Sequence, residues 1–164
     1  MISKTMQSAL NKQINAEMYS SYLYLAMATY CTEENLEGFA NWLRVQSREE
    51  WGHAMKFYGY VHDSSGHVDL QEIEKPSENY KSPMDIFNHV LSHEKDVTAM
   101  IDKLYELALK EKDYPSQIML QWFITEQVEE ERTAQLIVDK LKLIGESIPG
   151  LLYLDKDLGK RAAS

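Results

Sequence analysis

At 164 residues the chain is long enough for one domain with a full hydrophobic core and short for two. A net charge of −9, with no face that concentrates Lys and Arg, repels a nucleic-acid backbone and excludes that partner. The single cysteine, Cys31, excludes an internal disulfide and a thiolate metal cluster.

No run of 18 apolar residues occurs, and Met1-Ile2-Ser3-Lys4-Thr5-Met6 lacks the apolar stretch of a signal peptide. A soluble, reducing, cytoplasmic setting without a membrane is therefore expected. Pro and Gly are sparse, and Leu, Ala, Glu, Lys, Met and Gln dominate, which favours an all-α fold. A first helix is predicted over about residues 4–32, with an inward stripe of Met6, Leu10, Ile14, Glu17, Ser21, Tyr24 and Ala28. A second, over about 36–63, carries Phe39, Leu43, Gln46, Glu50, His53, Phe57 and Tyr60.

Ser82-Pro83 followed by Asp85 is a start signal for a third helix: a cap, a proline in the first turn, and an acid near the positive dipole end. Its stripe is Phe87, Val90, Glu94, Val97, Ile101, Leu104 and Ala108. Asp113-Tyr114-Pro115 opens a fourth helix with Phe123, Gln127, Glu130, Ala134, Ile137, Leu141 and Ile144 inward, ended by Gly145. Ser147-Ile148-Pro149-Gly150 is expected as a turn, and a short fifth helix follows within about 150–161. Each long helix has about 28 residues, ~42 Å at ~1.5 Å per residue.

Short links make the first and second helices one antiparallel hairpin, and the third and fourth another. The middle link, Ser64 to Lys81, holds Gly66 and Pro76 and shows no helical period. At ~3.3 Å per residue it can run the length of the bundle. One long crossover between helices two and three is therefore expected, rather than up-down-up-down topology. The bundle would occupy about residues 4–145 of a single domain spanning 1–164.

The polar interruption falls mid-helix in all four stripes, so Glu17, Glu50, Glu94 and Glu130 should meet at one depth. The intervals Glu17 to Glu50 and Glu94 to Gln127 are both 33 residues, and each second member opens an i, i+3 pair, Glu50–His53 and Gln127–Glu130. Buried carboxylates cost several kcal/mol each, and four together also repel one another. No Lys or Arg lies on the stripes within a turn of them. Four negative charges match two divalent cations, with His53 and Gln127 as neutral donors. Oxygen donors and one imidazole suit iron or manganese, with zinc a redox-inert competitor.

The chain resembles the non-haem bacterial-type ferritins over essentially its whole length. The resemblance lies in Asn15-Ala16-Glu17-Met18-Tyr19-Ser20-Ser21-Tyr22-Leu23-Tyr24, Glu49-Glu50-Trp51-Gly52-His53-Ala54, His93-Glu94, Leu120 to Glu131, and the late Leu154-Asp155-Lys156-Asp157-Leu158. It implies a ferritin-like bundle in which Glu17, Glu50 and His53 hold one iron and Glu50, Glu94 and Glu130 the other, with Glu50 bridging. Gln127 would hydrogen-bond nearby. Tyr24 and Trp122 match aromatic residues near that centre, with plain core packing the alternative. The implied activity is a ferroxidase that takes Fe²⁺ with O₂ or hydrogen peroxide and stores a ferric mineral in a shell of 24 identical chains. Glu49, Glu126 and Glu129, with Glu130, match a third iron site; a solvated acidic face is the alternative.

Departures separate the chain from other relatives. Bacterioferritins have a second Glu-x-x-His where this chain has Gln127-x-x-Glu130, and a haem-binding Met where Trp51 stands, so haem is not expected. The four-cysteine domain of rubrerythrins is absent, and the acidic pair of animal ferritin pores aligns with Gln117 and Leu120. A di-iron or di-manganese oxygenase or peroxidase, and a metal-free helical interaction module, are the other functional readings. His93 is expected to face solvent, about 100° from its neighbour Glu94. Cys31 is expected to be an inert small hydrophobe, and His62 and His67 to face water. The eight methionines are expected as core filler. Leu151, Leu152, Leu154 and Leu158, beyond the completed bundle, and several of the ten tyrosines point to an interface between copies.

Overall fold

A computed structural model describes residues 1–162, and among these every regular element is a helix. The order is α1 (Lys4–Glu33), α2 (Glu37–Asp63), α3 (Pro83–Glu111), α4 (Tyr114–Ile144) and α5 (Ile148–Leu158). The caps follow the sequence. Ser3, Ser82 and Asp113 accept the amides of Met6, Asp85 and Ser116, and prolines stand in the first turns of α3 and α4. α2 has no side-chain cap; Asn35, at φ 59°, turns the chain sharply out of α1 instead.

The segment between α2 and α3 lies along α1. The Ile2 amide donates to the Ser64 carbonyl, Asn11 pairs with His67 and Asp69, and Asn15 donates to Gln71 and Glu72. Tyr80 reaches the ring of Tyr30 near the far end of α1. The crossover therefore travels parallel to α1, so α3 starts at that far end and runs antiparallel to α1. The four-helix bundle with one long crossover and a short fifth helix is the expected fold.

Two apolar clusters fill the interior, one on either side of a polar layer. Met6, Leu10, Ile14, Phe57, Ile101, Leu120 and Phe123 form one; Met27, Phe39, Leu43, Phe87, Val138 and Leu141 belong to the other. Between them sit Glu17, Glu50, His53, Glu94, Gln127 and Glu130, each buried. Rigid, well-packed material above and below thus fixes the depth of the acids.

Two expectations need correction. Ser147 to Gly150 is not a free turn: Ser147 Oγ accepts from the Gly150 amide at 3.2 Å, and Pro149 sits in the first turn of α5. The cap-and-proline signature of α3 recurs there, so α5 begins at Ile148. Of the late leucines, Leu154 and Leu158 are core, while Leu152 is exposed. The methionines are largely core filler: Met6 and Met27 are buried, Met18, Met84 and Met119 pack half-buried against the two clusters, and Met1 and Met100 are exposed. Cys31 is fully buried, and burial pushes its thiol up to about 12, which leaves it unreactive. His62 and His67 are exposed, as expected.

Candidate metal centre

The centre is assembled from i, i+3 and i, i+4 relationships on α1 and α2, and from matched positions on α3 and α4. On α1, Gln13 Nε2 donates to Glu17 Oε1 at 2.8 Å, while Glu17 Oε2 is buried and receives no hydrogen bond. On α2, Gln46 Nε2 donates to Glu50 Oε1 at 2.7 Å, and Glu50 Oε2 lies 3.1 Å from His53 Nδ1. The same Gln46 nitrogen reaches Glu130 Oε2 of α4 at 2.9 Å. On α3, Glu94 accepts from Tyr24 at Oε1 and from Gln127 Nε2 at Oε2, the latter at 3.1 Å. Gln127 also donates to the Glu94 carbonyl at 3.2 Å.

The donors satisfy part of this acceptor set, and the electrostatics show what is left over. Burial raises the Glu17 carboxyl well above its ordinary value, and the facing Glu50 raises it further. Glu94 is pushed up to about 7, mainly by burial and then by Glu50, against the donors Tyr24 and Gln127. Glu130 is pushed up to about 9 by burial, Glu50 and Glu94. At His53, burial works downward, but the Glu50 hydrogen bond and the charges of Glu50, Glu126 and Glu94 raise it overall. Without cations the cluster holds protons it would not hold in water.

Glu17, Glu50 and His53 each offer a ligand atom within 4.8 Å of the others, as do His53, Glu126 and Glu130. His53 thus faces both sets. Its ring is held edge-on by Trp122 at 5.5 Å and Phe123 at 5.9 Å, which fixes its direction without using a nitrogen. Trp122 is 40% exposed and carries Lys56 over its ring, so it spans from His53 to the surface.

The three acids singled out beside the core set are placed differently. Glu126, half-buried, has Oε1 4.0 Å from His53 Nε2. Glu129 is exposed. Glu49 Oε2 is engaged 2.6 Å away by Arg161, beyond the end of α5.

His93 does not face solvent. Its Nε2 lies 2.7 Å from Ser20 Oγ, and its ring contacts Tyr19 and Tyr24. Burial lowers its pKa. The α1–α3 interface is wide enough to cover a residue about 100° off the stripe, and Ser20 is small enough to admit the ring.

Gln13 and Arg161 lie off the inward stripes that the periodicity defines, and the stripe position of Gln46 does not by itself give it a role. The two glutamines had a visible signal, since each stands four residues before a clustered Glu. Arg161 had none: its partners are 112 and 115 residues away.

Comparison with known proteins places the chain in company. The ferritin-like domain family matches residues 7–144. A bacterial non-haem ferritin of Bacteroides fragilis is 43% identical over 161 residues, covering 98% of this chain and 100% of that one. Another, of Campylobacter jejuni, is 42% identical over 164 residues, covering 100% of this chain and 98% of its own. Among solved structures, an engineered closed form of the Archaeoglobus fulgidus ferritin superposes with a TM-score of 0.99 at 49% identity, covering 100% of both chains. The open-pore ferritin of the same archaeon gives 0.97 at 50% identity, covering 98% of each.

Proposed function

The chain belongs to the ferritin family, and from that premise we propose that it is a ferroxidase and iron store, oxidising Fe²⁺ in the buried acid layer. Glu17, Glu50 and His53 would hold one Fe²⁺, and Glu50, Glu94 and Glu130 the other, with Glu50 bridging. The observation that carries this is the buried Glu17 Oε2, which receives no hydrogen bond inside a layer of carboxyls whose pKa values are raised. Such a layer calls for cations.

Each Fe²⁺ gives up one electron. O₂ takes two electrons and two protons to become hydrogen peroxide, or peroxide takes the same to become two waters. Cations bound there oppose the burial that raises Glu17, Glu94 and Glu130, so metal binding would be accompanied by proton release. Anionic oxygen donors stabilise Fe³⁺ over Fe²⁺ and favour electron loss. Gln13, Gln46 and Gln127 fix the carboxylates from behind, and Tyr24 fixes Glu94. Glu49, Glu126 and Glu129, with Glu130, would take a third iron on the way to the mineral. Glu126, already within reach of His53 and Glu130, supports that assignment.

The whole chain would act as one domain, with 24 copies closing a hollow cytoplasmic shell around the mineral. The exposure of Ile148, Leu152, Tyr153 and Leu143 at one end of the bundle supports assembly, and no helix is long and apolar enough to cross a membrane. A pocket of about 770 Å³ lies between Met1, Tyr60 and Glu111, with none of the clustered acids in its wall. A molecule bound in that pocket would not touch the clustered acids. Aerobic addition of Fe²⁺ tests the proposal. Hundreds of iron atoms retained per shell as soluble ferric oxide are expected. Turnover that stops at two irons per chain would instead indicate a di-metal oxygenase or peroxidase.

A further inference from the structure

Glu49 is the acid of the proposed third site that the structure holds elsewhere. Glu126 converges with His53 and Glu130, whereas Glu49 Oε2 receives Arg161 Nη2 at 2.6 Å. The guanidinium is built in on its other sides. It lies 4.4 Å above the Trp42 ring, Nη1 donates to the Trp42 carbonyl at 3.4 Å, and Nη2 donates to Gln46 Oε1 at 2.9 Å. Asn41 Nδ2 donates to the backbone carbonyls of Gly159 and Arg161 at 3.4 and 3.0 Å, tying the segment after α5 to α2. Both charged side chains are 22% exposed, so the pair is partly withdrawn from water.

We propose that Arg161 is a built-in cation that occupies Glu49 until a third metal ion displaces it, making the segment just after α5 a clasp on the third site. This rests on the third-site reading. A divalent ion on Glu49, Glu126 and Glu129 would stand beside the guanidinium, and the repulsion between the two positive charges favours release of Glu49 from Arg161. By linkage the effect is reciprocal. Whatever Arg161 takes from third-ion affinity, the third ion takes from the docking of residues 159–161.

Arg161 also orients the centre. Its donor-only group fixes the oxygen end of the Gln46 amide outward and so turns Nε2 toward Glu50 and Glu130. Release of the clasp would loosen that amide at the moment the third site fills.

The test is calorimetric titration of the assembled protein with Zn²⁺, comparing the parent with Arg161→Ala and Arg161→Lys. In Arg161→Ala the third Zn²⁺ per chain should bind about tenfold tighter relative to the first two. Arg161→Lys, which keeps the charge, should stay near the parent. Equal third-ion affinity in all three proteins overturns the clasp while leaving the third site standing. No third ion in any of them overturns the site and the clasp with it. If the variants fail to assemble, hydrogen exchange on the parent decides. The Arg161 amide, which donates to the Leu158 carbonyl, should lose protection at the third equivalent of Zn²⁺ and not at the first two. Unchanged protection at the third equivalent overturns the proposal.

Discussion

Tyr24 gives its hydroxyl hydrogen to Oε1 of Glu94, joining α1 to α3 at the depth of the acid layer across 70 residues of sequence. Both groups are fully or nearly fully buried, so the bond has no water to fall back on. Tyr24→Phe removes the donor and leaves the carboxyl with Gln127 alone. The variant should lose ~1–2 kcal/mol of metal-free stability, read as an earlier urea midpoint. An unchanged midpoint would mean that Tyr24 is only filling space.

The metal-free protein should become less stable as pH rises from about 5 to 9. A carboxyl whose pKa is higher in the fold than in the unfolded chain keeps its proton only in the fold. Its stabilisation is complete below the ordinary 4.5 and disappears as pH passes the folded values, about 7 for Glu94 and about 9 for Glu130. Glu17 and His53 act in the same direction. His93, lowered by burial, acts oppositely and costs stability as pH falls below the usual histidine range. Each proton held only by the fold changes stability by ~1.4 kcal/mol per pH unit. Thermal scans should show a melting temperature that declines across this window and is restored by Zn²⁺. A flat profile would place the acids in contact with water.

Glu130→Gln separates stability from function. The amide keeps the shape of a carboxyl that burial holds neutral up to about pH 9, cannot ionise to bind a cation, and still accepts from Gln46. Metal-free unfolding should match the parent near neutral pH and come later above about pH 9, where the parent's Glu130 would ionise beside Glu50 and Glu94. Fe²⁺ oxidation should fall at least tenfold, since the second ion keeps only two carboxylates. Stopped-flow absorbance during aerobic Fe²⁺ mixing gives the rate. Parent-like oxidation would remove Glu130 from the proposed ligand set.

The parts of this molecule that sequence revealed are those set by local period. Glu17, Glu50, Glu94 and Glu130 lie on stripes whose apolar members are nearly all buried, because a 3.6-residue repeat fixes a face whatever it packs against. Caps were equally visible at Ser82 and Asp113, and the same chemistry at Ser147 was passed over for its proline and glycine. His93 was misplaced because periodicity gives an angle and not the width of an interface. Arg161 was invisible for a different reason. Its position depends on α5 folding back against α2, and no spacing rule reaches across more than a hundred residues.

That return of α5 depends on one glycine. A Cβ placed on Gly38 would stand 1.6 Å from the Asp155 carbonyl oxygen, with the backbone of α5 rather than a yielding side chain in the way. Beside it, the Phe39 amide donates to Asp155 Oδ1 at 3.0 Å, a contact possible only at this approach. Gly38→Ala must therefore push α5 off α2, uncovering Phe39 and Leu43 and breaking the Arg161 contacts. α1 to α4 have their own core and should persist, so circular dichroism should lose about the signal of the 11 residues of α5. Light scattering should show smaller species than the parent, because the apolar residues of α5 would no longer be presented in register. Gly59→Ala is the matched control. Nothing lies within 4 Å of its added methyl, and the exchange in a helix interior should stabilise by ~0.5–1 kcal/mol. If Gly38→Ala assembles and melts like Gly59→Ala, the close approach of α5 to α2 is not what holds Arg161 in place.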